Sequence, residues 1–160
     1  MALPLDPTDE AALELLRERS GLSIDLEGRF LHRGLPILHA RTLEVLWRSL
    51  ERQPDGRYLV RVGRESGWVR LEDSPYAVRG VRLDGEPRLF LSDGSEELLR
   101  PETLSVGPDG VLRCLVKGDH RARFARSAQV VLGLALEEDP AAPGCYALAL
   151  GGRRWRVPPG

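Results

Sequence analysis

The densest chemistry in this chain is basic. Lys117, His120, Arg121, Arg123 and Arg126 fall within a ten-residue window. The window reads as the start of a helix from His120 to about Glu137, with Asp119 as N-cap. Free N–H groups and the positive end of the helix dipole, beside clustered arginines, suit a phosphate or carboxylate. Basic side chains there also oppose the dipole, by a few tenths of a kcal/mol each. The plainer alternative is that these cations are solvated, or pair with acidic residues such as Glu72 and Asp73. Glu72 and Asp73 are adjacent, so in a strand they point to opposite faces and cannot act as one acid/base pair. Asp73, before Ser74-Pro75, suits a turn cap. Glu72 suits an arginine partner, and either carboxylate could instead accept from a ribose or base.

Little else in the chain supports catalysis. His32, His39 and His120 have no metal-ligand spacing among themselves or with the cysteines, so no metal is expected. His32 follows a strand and reads as a turn anchor. The phosphate-binding loops G-x-x-x-x-G-K-[ST] and G-x-G-x-x-G are missing, as is the hydrolase elbow G-x-S-x-G. Cys114 and Cys145 are far apart and read as reduced thiols. No nucleophile and base can be paired, so we expect neither an enzyme nor a cofactor.

The chain has 160 residues, 42% of them apolar and 29% charged, with formal net charge −1. That length buries roughly 70% of the unfolded surface. The near-zero charge gives no global field for nucleic acid or membrane. Lys117 is the only lysine, so nearly all cations are fork-shaped arginines suited to carboxylate and phosphate. No signal peptide or membrane span is read from the N-terminus, and a cytoplasmic location is the expectation.

The elements that must position these residues follow from spacing. Asp6-Pro7 opens a helix whose Ala12, Leu13 and Leu16 face the core, and Ser20-Gly21 stops it. A hairpin spans Ser23 to His32 around Glu27-Gly28. Leu43, Leu46, Trp47 and Leu50 form the stripe of a helix from Ala40 to Arg52. Tyr58–Val62 and Trp68–Leu71 form a second hairpin about a loop from Gly63 to Gly67. Beyond Ser74-Pro75 come Ala77–Leu83, Arg88–Leu91, Leu104–Val106 and Val111–Val116, then the basic helix and a hairpin of Tyr146–Leu150 with Arg154–Val157.

This order contains a repeat of hairpin, helix, hairpin. Ser23–His32 with Tyr58–Leu71 matches Ser105–Val116 with Tyr146–Val157, and Gly28 corresponds to Gly110. The expected architecture is α+β, mainly antiparallel, with an N-terminal helix (1–22), a first lobe (23–76) and a β-rich second lobe (77–160). A groove between the lobes is the natural ligand site.

Ile24-x-Leu26-x-Gly28-Arg29-Phe30-x-His32-x-Gly34-x-Pro36-Ile37, then Gly56-x-Tyr58 and Val69-Arg70-Leu71-Glu72-Asp73-Ser74-Pro75-Tyr76, together resemble a bacterial family of unknown function, DUF1285. Leu89-Phe90-Leu91-Ser92-Asp93-Gly94 and the arginine-rich stretch from Arg121 extend the resemblance over roughly residues 23–157. It implies a duplicated α+β core, a second lobe superficially like a pleckstrin-homology fold, a nucleotide-type ligand between the lobes and a signalling role. One departure stands out: Gly63 to Trp68 replaces a Pro-Val-Glu-Lys-like run, and only Glu65 corresponds.

The sequence therefore leads to a cytoplasmic protein that binds a small anionic, nucleotide-like ligand. Lys117, Arg121 and Arg123 are assigned to phosphate, with Glu72, Asp73 and His32 lining the cleft. The competing reading is a protein-interaction module in which a strand edge or arginine patch of the second lobe docks a partner.

Overall fold

The computed structural model describes residues 11–13, 15–16 and 21–160. The chain divides into two compact units, Met1–Asp73 and Ser74–Gly160. Residues 11–13 and 15–16 are helical, and Ala12, Leu13 and Leu16 are buried as the apolar spacing requires. The Asp6 cap lies outside the described residues.

The first unit is a six-stranded sheet. Its strands are β1 (Leu22–Ile24), β2 (Phe30–His32), β3 (Leu35–Pro36), β4 (Leu50–Arg52), β5 (Tyr58–Val62) and β6 (Glu65–Leu71), with helix α1 (Ala40–Arg48) between β3 and β4. The strand order is β3-β2-β1-β6-β5-β4, two antiparallel meanders joined where β1 and β6 run parallel. Alternation sends Ile24, Phe30, Val60 and Val69 into the core with Val45 and Leu46 of α1. Helix α1 ends at Arg48, short of the expected Arg52, because Leu50–Arg52 pairs with Tyr58–Val60 instead. The loop expected over Gly63–Gly67 is also tighter. Val62 pairs with Glu65, so only Gly63 and Arg64 turn the chain.

The second unit holds β7 (Tyr76–Arg82), β8 (Arg88–Leu91), β9 (Glu96–Leu98), a 3-10 turn (Pro101–Thr103), β10 (Ser105–Val106), β11 (Leu112–Val116) and β12 (His120–Phe124). Helix α2 (Arg126–Gly133) follows, then β13 (Leu136–Glu138), β14 (Tyr146–Leu150) and β15 (Arg153–Val157). The first six strands form one sheet of order β9-β8-β7-β12-β11-β10, and the last three form a separate small sheet. Again the first strand of one meander runs parallel to the last of the other, here β7 with β12. The C-terminal residues close back on this sheet: the Val106 N–H donates to the Pro158 carbonyl and the Gly160 N–H to that of Val106.

The duplication is real in topology but its phase differs from the one the sequence suggested. Strands β1–β6 correspond to β7–β12, and the hairpin β14–β15 stands outside the repeat. Matching backbone bonds mark the seam: Glu72 N–H to the Ile24 carbonyl at 3.0 Å, and Ala125 N–H to the Val78 carbonyl at 2.9 Å. Pro54-Asp55-Gly56 and Pro108-Asp109-Gly110 are then the equivalent turns before β5 and β11. In each, the aspartate Oδ1 accepts the N–H two residues on, that of Arg57 at 3.0 Å and that of Val111 at 3.2 Å.

The expected helix from His120 to Glu137 is overturned over its first turn and its last. His120–Phe124 is a strand, because Ala122 and Phe124 alternate into the core and both neighbouring strands pair with it. Lys117 and Gly118, at φ of 50° and 91°, make the tight turn that permits this pairing. Asp119 therefore caps no helix. The helix begins at Arg126, after an Ala125 N-cap without a side-chain bond. Gln129 of α2 instead ties the helix to the sheet, its amide donating to the Gly110 carbonyl and accepting the Leu112 N–H, both at 2.9 Å.

Candidate functional site

In the second unit the cations assigned to phosphate are mostly answered within the unit. Lys117 Nζ lies 2.7 Å from Asp93 Oδ2 and over the Tyr76 ring, 5.7 Å from its centre. His120 meets the same Tyr76 ring edge-on. Burial works against charge on Asp93, but the bonds from Lys117 and from both Ser95 donors outweigh it and hold its carboxyl below the ordinary range. Arg121 is exposed on β12. Arg123, two residues on and on the same face, lies 3.9 Å from Asp109. Hydrogen bonding to Arg113 pulls the Asp109 carboxyl far below the usual carboxylate range. Placed on a strand, these residues gain no helix dipole and no free N–H groups.

In the first unit, His32 ends β2 opposite Leu22, and Glu72 follows β6 with Oε2 accepting the Leu26 N–H at 3.1 Å. Asp73 closes this unit. His32 and Glu72 thus belong to one unit, and Lys117, Arg121 and Arg123 to the other.

A concavity of about 1150 Å³ lies in the first unit. Its border includes Glu72 together with Arg33, Arg57, Trp68 and Arg70, which the sequence reading did not nominate. Strand alternation sorts the β6 side chains on this border. Gly67 and Val69 face the core side with Leu16 and Leu22, whereas Trp68 and Arg70 face the opposite side with Ser23, the residue paired with Arg70 across the seam.

On that opposite side Arg57 is held twice. Its guanidinium carbon sits 3.9 Å from the centre of the Trp68 ring, and its Nε donates to Asp55 Oδ2 at 2.7 Å. Stacking and the Asp55 bond fix the plane of the fork, and the side chain is 64% exposed. Trp68 is 50% exposed, enough to offer ring surface beyond the part that Arg57 covers. Arg70 is exposed and makes no ion pair among the described residues. Arg33 is held at φ 51°, a backbone conformation that costs a non-glycine residue energy, with its N–H on the Gly21 carbonyl at 2.8 Å. Gly21 is required there, since a Cβ would lie 2.8 Å from Arg33 Cγ.

No protein-family model and no curated protein matches the chain. Two solved structures do. A DUF1285 family protein from Silicibacter pomeroyi superposes with TM-score 0.68 at 16% identity, over 87% of this chain and 80% of that one. A second, from Shewanella baltica, gives 0.53 at 15% identity over 66% and 84%. The chain has the DUF1285 fold. It is the fold of the same family that the residues between Ser23 and Val157 resemble.

Within this DUF1285 fold the first-unit face combines a half-exposed aromatic ring with arginines whose forks suit carboxylate or phosphate. Among the described residues no histidine or cysteine lines its concavity, and Glu72 is the one carboxylate on its border. Among the described residues no group of three or more His, Cys, Asp or Glu side chains could hold a metal, and no helix is long and apolar enough to cross a membrane. The signal for this face was present in the sequence as alternation: Trp68 and Arg70 share a strand face, and Arg57 immediately precedes the strand beside it.

Proposed function

We propose that the protein binds a small anionic ligand with a flat, nucleotide-like ring on the outer face of its first unit. The observation that supports this is the Arg57–Trp68–Asp55 arrangement. An arginine fork already fixed by a ring and a carboxylate loses little freedom when it takes up an anion. In this reading the Arg57 and Arg70 forks take the phosphate or carboxylate, a base stacks on the free part of Trp68, and Ser23 and Ser66 offer hydroxyls. The role is binding, carried by the arginine forks, the ring and the hydroxyls that border the concavity. A signalling function, implied by the family resemblance, fits a ligand-responsive binding protein.

Thermal melting at low salt against mono-, di- and cyclic nucleotides tests the proposal. A ligand that binds only the native state raises the midpoint by mass action. Arg57→Gln should cut that rise, with affinity falling about tenfold or more for the lost charge-assisted bonds. An unchanged rise in Arg57→Gln would remove the site assignment.

A protein-interaction reading has one observation in its favour. Among the described residues β15 is an edge strand, paired only with β14, and it carries Arg153, Arg154 and Arg156. Such an edge suits an acidic extended segment. Arg154→Glu with Arg156→Glu should abolish capture of an acidic strand peptide, and an unaffected interaction would exclude this edge.

A further inference from the structure

Arg113 of β11 and Arg123 of β12 stand directly opposite each other in the second unit. Like charges in that relation repel. Water relieves them little, because the two side chains are 9% and 20% exposed. The chain places Asp109, from the turn before β11, between them. Its carboxylate takes both Nη atoms of Arg113, at 3.1 and 3.0 Å, while Oδ2 stays 3.9 Å from Arg123 Nη2. The sharing is unequal. Arg123 Nε is buried and has no hydrogen-bond partner among the described residues. Arg113 Nη1 also donates to the Val111 carbonyl at 3.3 Å, whereas the Arg123 fork is left with an unfilled edge.

We propose that Arg113 and Arg123 form an oxyanion site of the phosphate class, which the chain keeps closed with its own Asp109. A phosphate brings more oxygens and more charge than a carboxylate and can satisfy both forks. Asp109 is the movable part. Its side chain is 44% exposed, and it sits in the turn Gly107-Pro108-Asp109-Gly110, whose own bond runs from the Gly110 N–H to the Gly107 carbonyl. An anion arriving from solvent thus meets Asp109 first and can exchange with it. The equivalent turn in the first unit shows no such bridge among the described residues, where Asp55 pairs with Arg57. A tethered carboxylate competes at an effective concentration in the millimolar range, so the intact protein takes phosphate weakly. This site is independent of the nucleotide-like reading of the first unit.

Asp109→Asn is the decisive variant, because the amide oxygen still accepts the Val111 N–H while the charge is gone. The probe is inorganic phosphate against chloride at matched ionic strength, read by melting of the full chain and by broadening of the phosphate phosphorus resonance. Asp109→Asn should melt lower without phosphate and bind it on the order of tenfold tighter than wild type. The gain should vanish in Asp109→Asn with Arg123→Gln. Phosphate binding no tighter than wild type, or a gain that survives loss of Arg123, overturns the proposal. If Asp109→Asn does not fold, the wild type at tens of millimolar phosphate decides. Broadening that Arg123→Gln removes supports the site; no broadening, or equal broadening in that variant, overturns it.

Discussion

Asp93 shows how a single residue governs the charge of its surroundings. Its side chain is 11% exposed and receives Lys117 Nζ at 2.7 Å, the Ser95 hydroxyl at 2.6 Å and the Ser95 N–H at 3.0 Å. These donors favour the charged form more than burial opposes it, so the folded carboxyl titrates below its unfolded value. The stability it contributes is complete above the unfolded pKa of about 3.9 and is lost as pH falls through the lower folded value. Asp93→Asn should therefore cost about 1–3 kcal/mol at neutral pH, and the gap to wild type should narrow progressively in urea titrations as pH falls below the unfolded value of about 3.9. A gap that stays constant as pH falls would show that the charge of Asp93 contributes nothing. None of this was legible in the sequence. Lys117 stood out as the sole lysine, but Asp93 is remote in the chain, and only the sheet brings β8 and its following turn to the β11–β12 turn. Trp68 and Arg70 were in plain view as alternating strand residues. They carry no site signal of their own, because Trp68–Leu71 reads as one arm of an ordinary hairpin and Gly63 to Trp68 departs from the family pattern.

Among the elements, α1 carries a cap that could be better. His39 precedes it, with Nδ1 accepting the Thr42 N–H at 3.3 Å, and its first turn has no acidic residue. Aspartate accepts the same bond and adds a favourable charge at the positive end of the dipole. His39→Asp should raise stability by about 0.5–1 kcal/mol, seen as a higher melting midpoint, and a lower midpoint would show that His39 has contacts worth more than its cap. The helices also mark where pattern reading succeeds and where it fails. The stripe Leu43, Leu46, Trp47 was clear, and α1 is there. His120–Phe124 carried the signals of both periods, with Ala122 and Phe124 alternating ahead of a truly helical Ala128 and Leu132. The strand wins because two neighbours, β11 and β7, are waiting to pair with it, and pairing partners are not visible from local sequence. The repeat failed in phase for a related reason. Hairpins flanking a helix occur twice in the chain, whereas the true correspondence is held by the parallel seams β1–β6 and β7–β12. The identical turns Pro54-Asp55-Gly56 and Pro108-Asp109-Gly110 were the sequence trace of that correspondence.

At the scale of the whole molecule, two units of one topology carry different chemistry at equivalent turns. Asp55 fixes one arginine against an aromatic ring, and Asp109 binds one arginine closely while leaning toward a second. A net charge of −1 over the chain hides this local arrangement of arginines. The DUF1285 fold supplies the double meander, and the side chains along the seam and the turns differ between the two units. The central claim is that the Trp68 face of the first unit takes an anionic, flat-ringed ligand. Its most direct test is tryptophan fluorescence of a chain whose other indoles are removed by Trp47→Phe and Trp155→Phe, titrated at low salt with mono-, di- and cyclic nucleotides. The account predicts saturable quenching of Trp68 by at least one of them, weakened about tenfold or more by Arg57→Gln. Fluorescence that no nucleotide quenches saturably at millimolar concentration would contradict it.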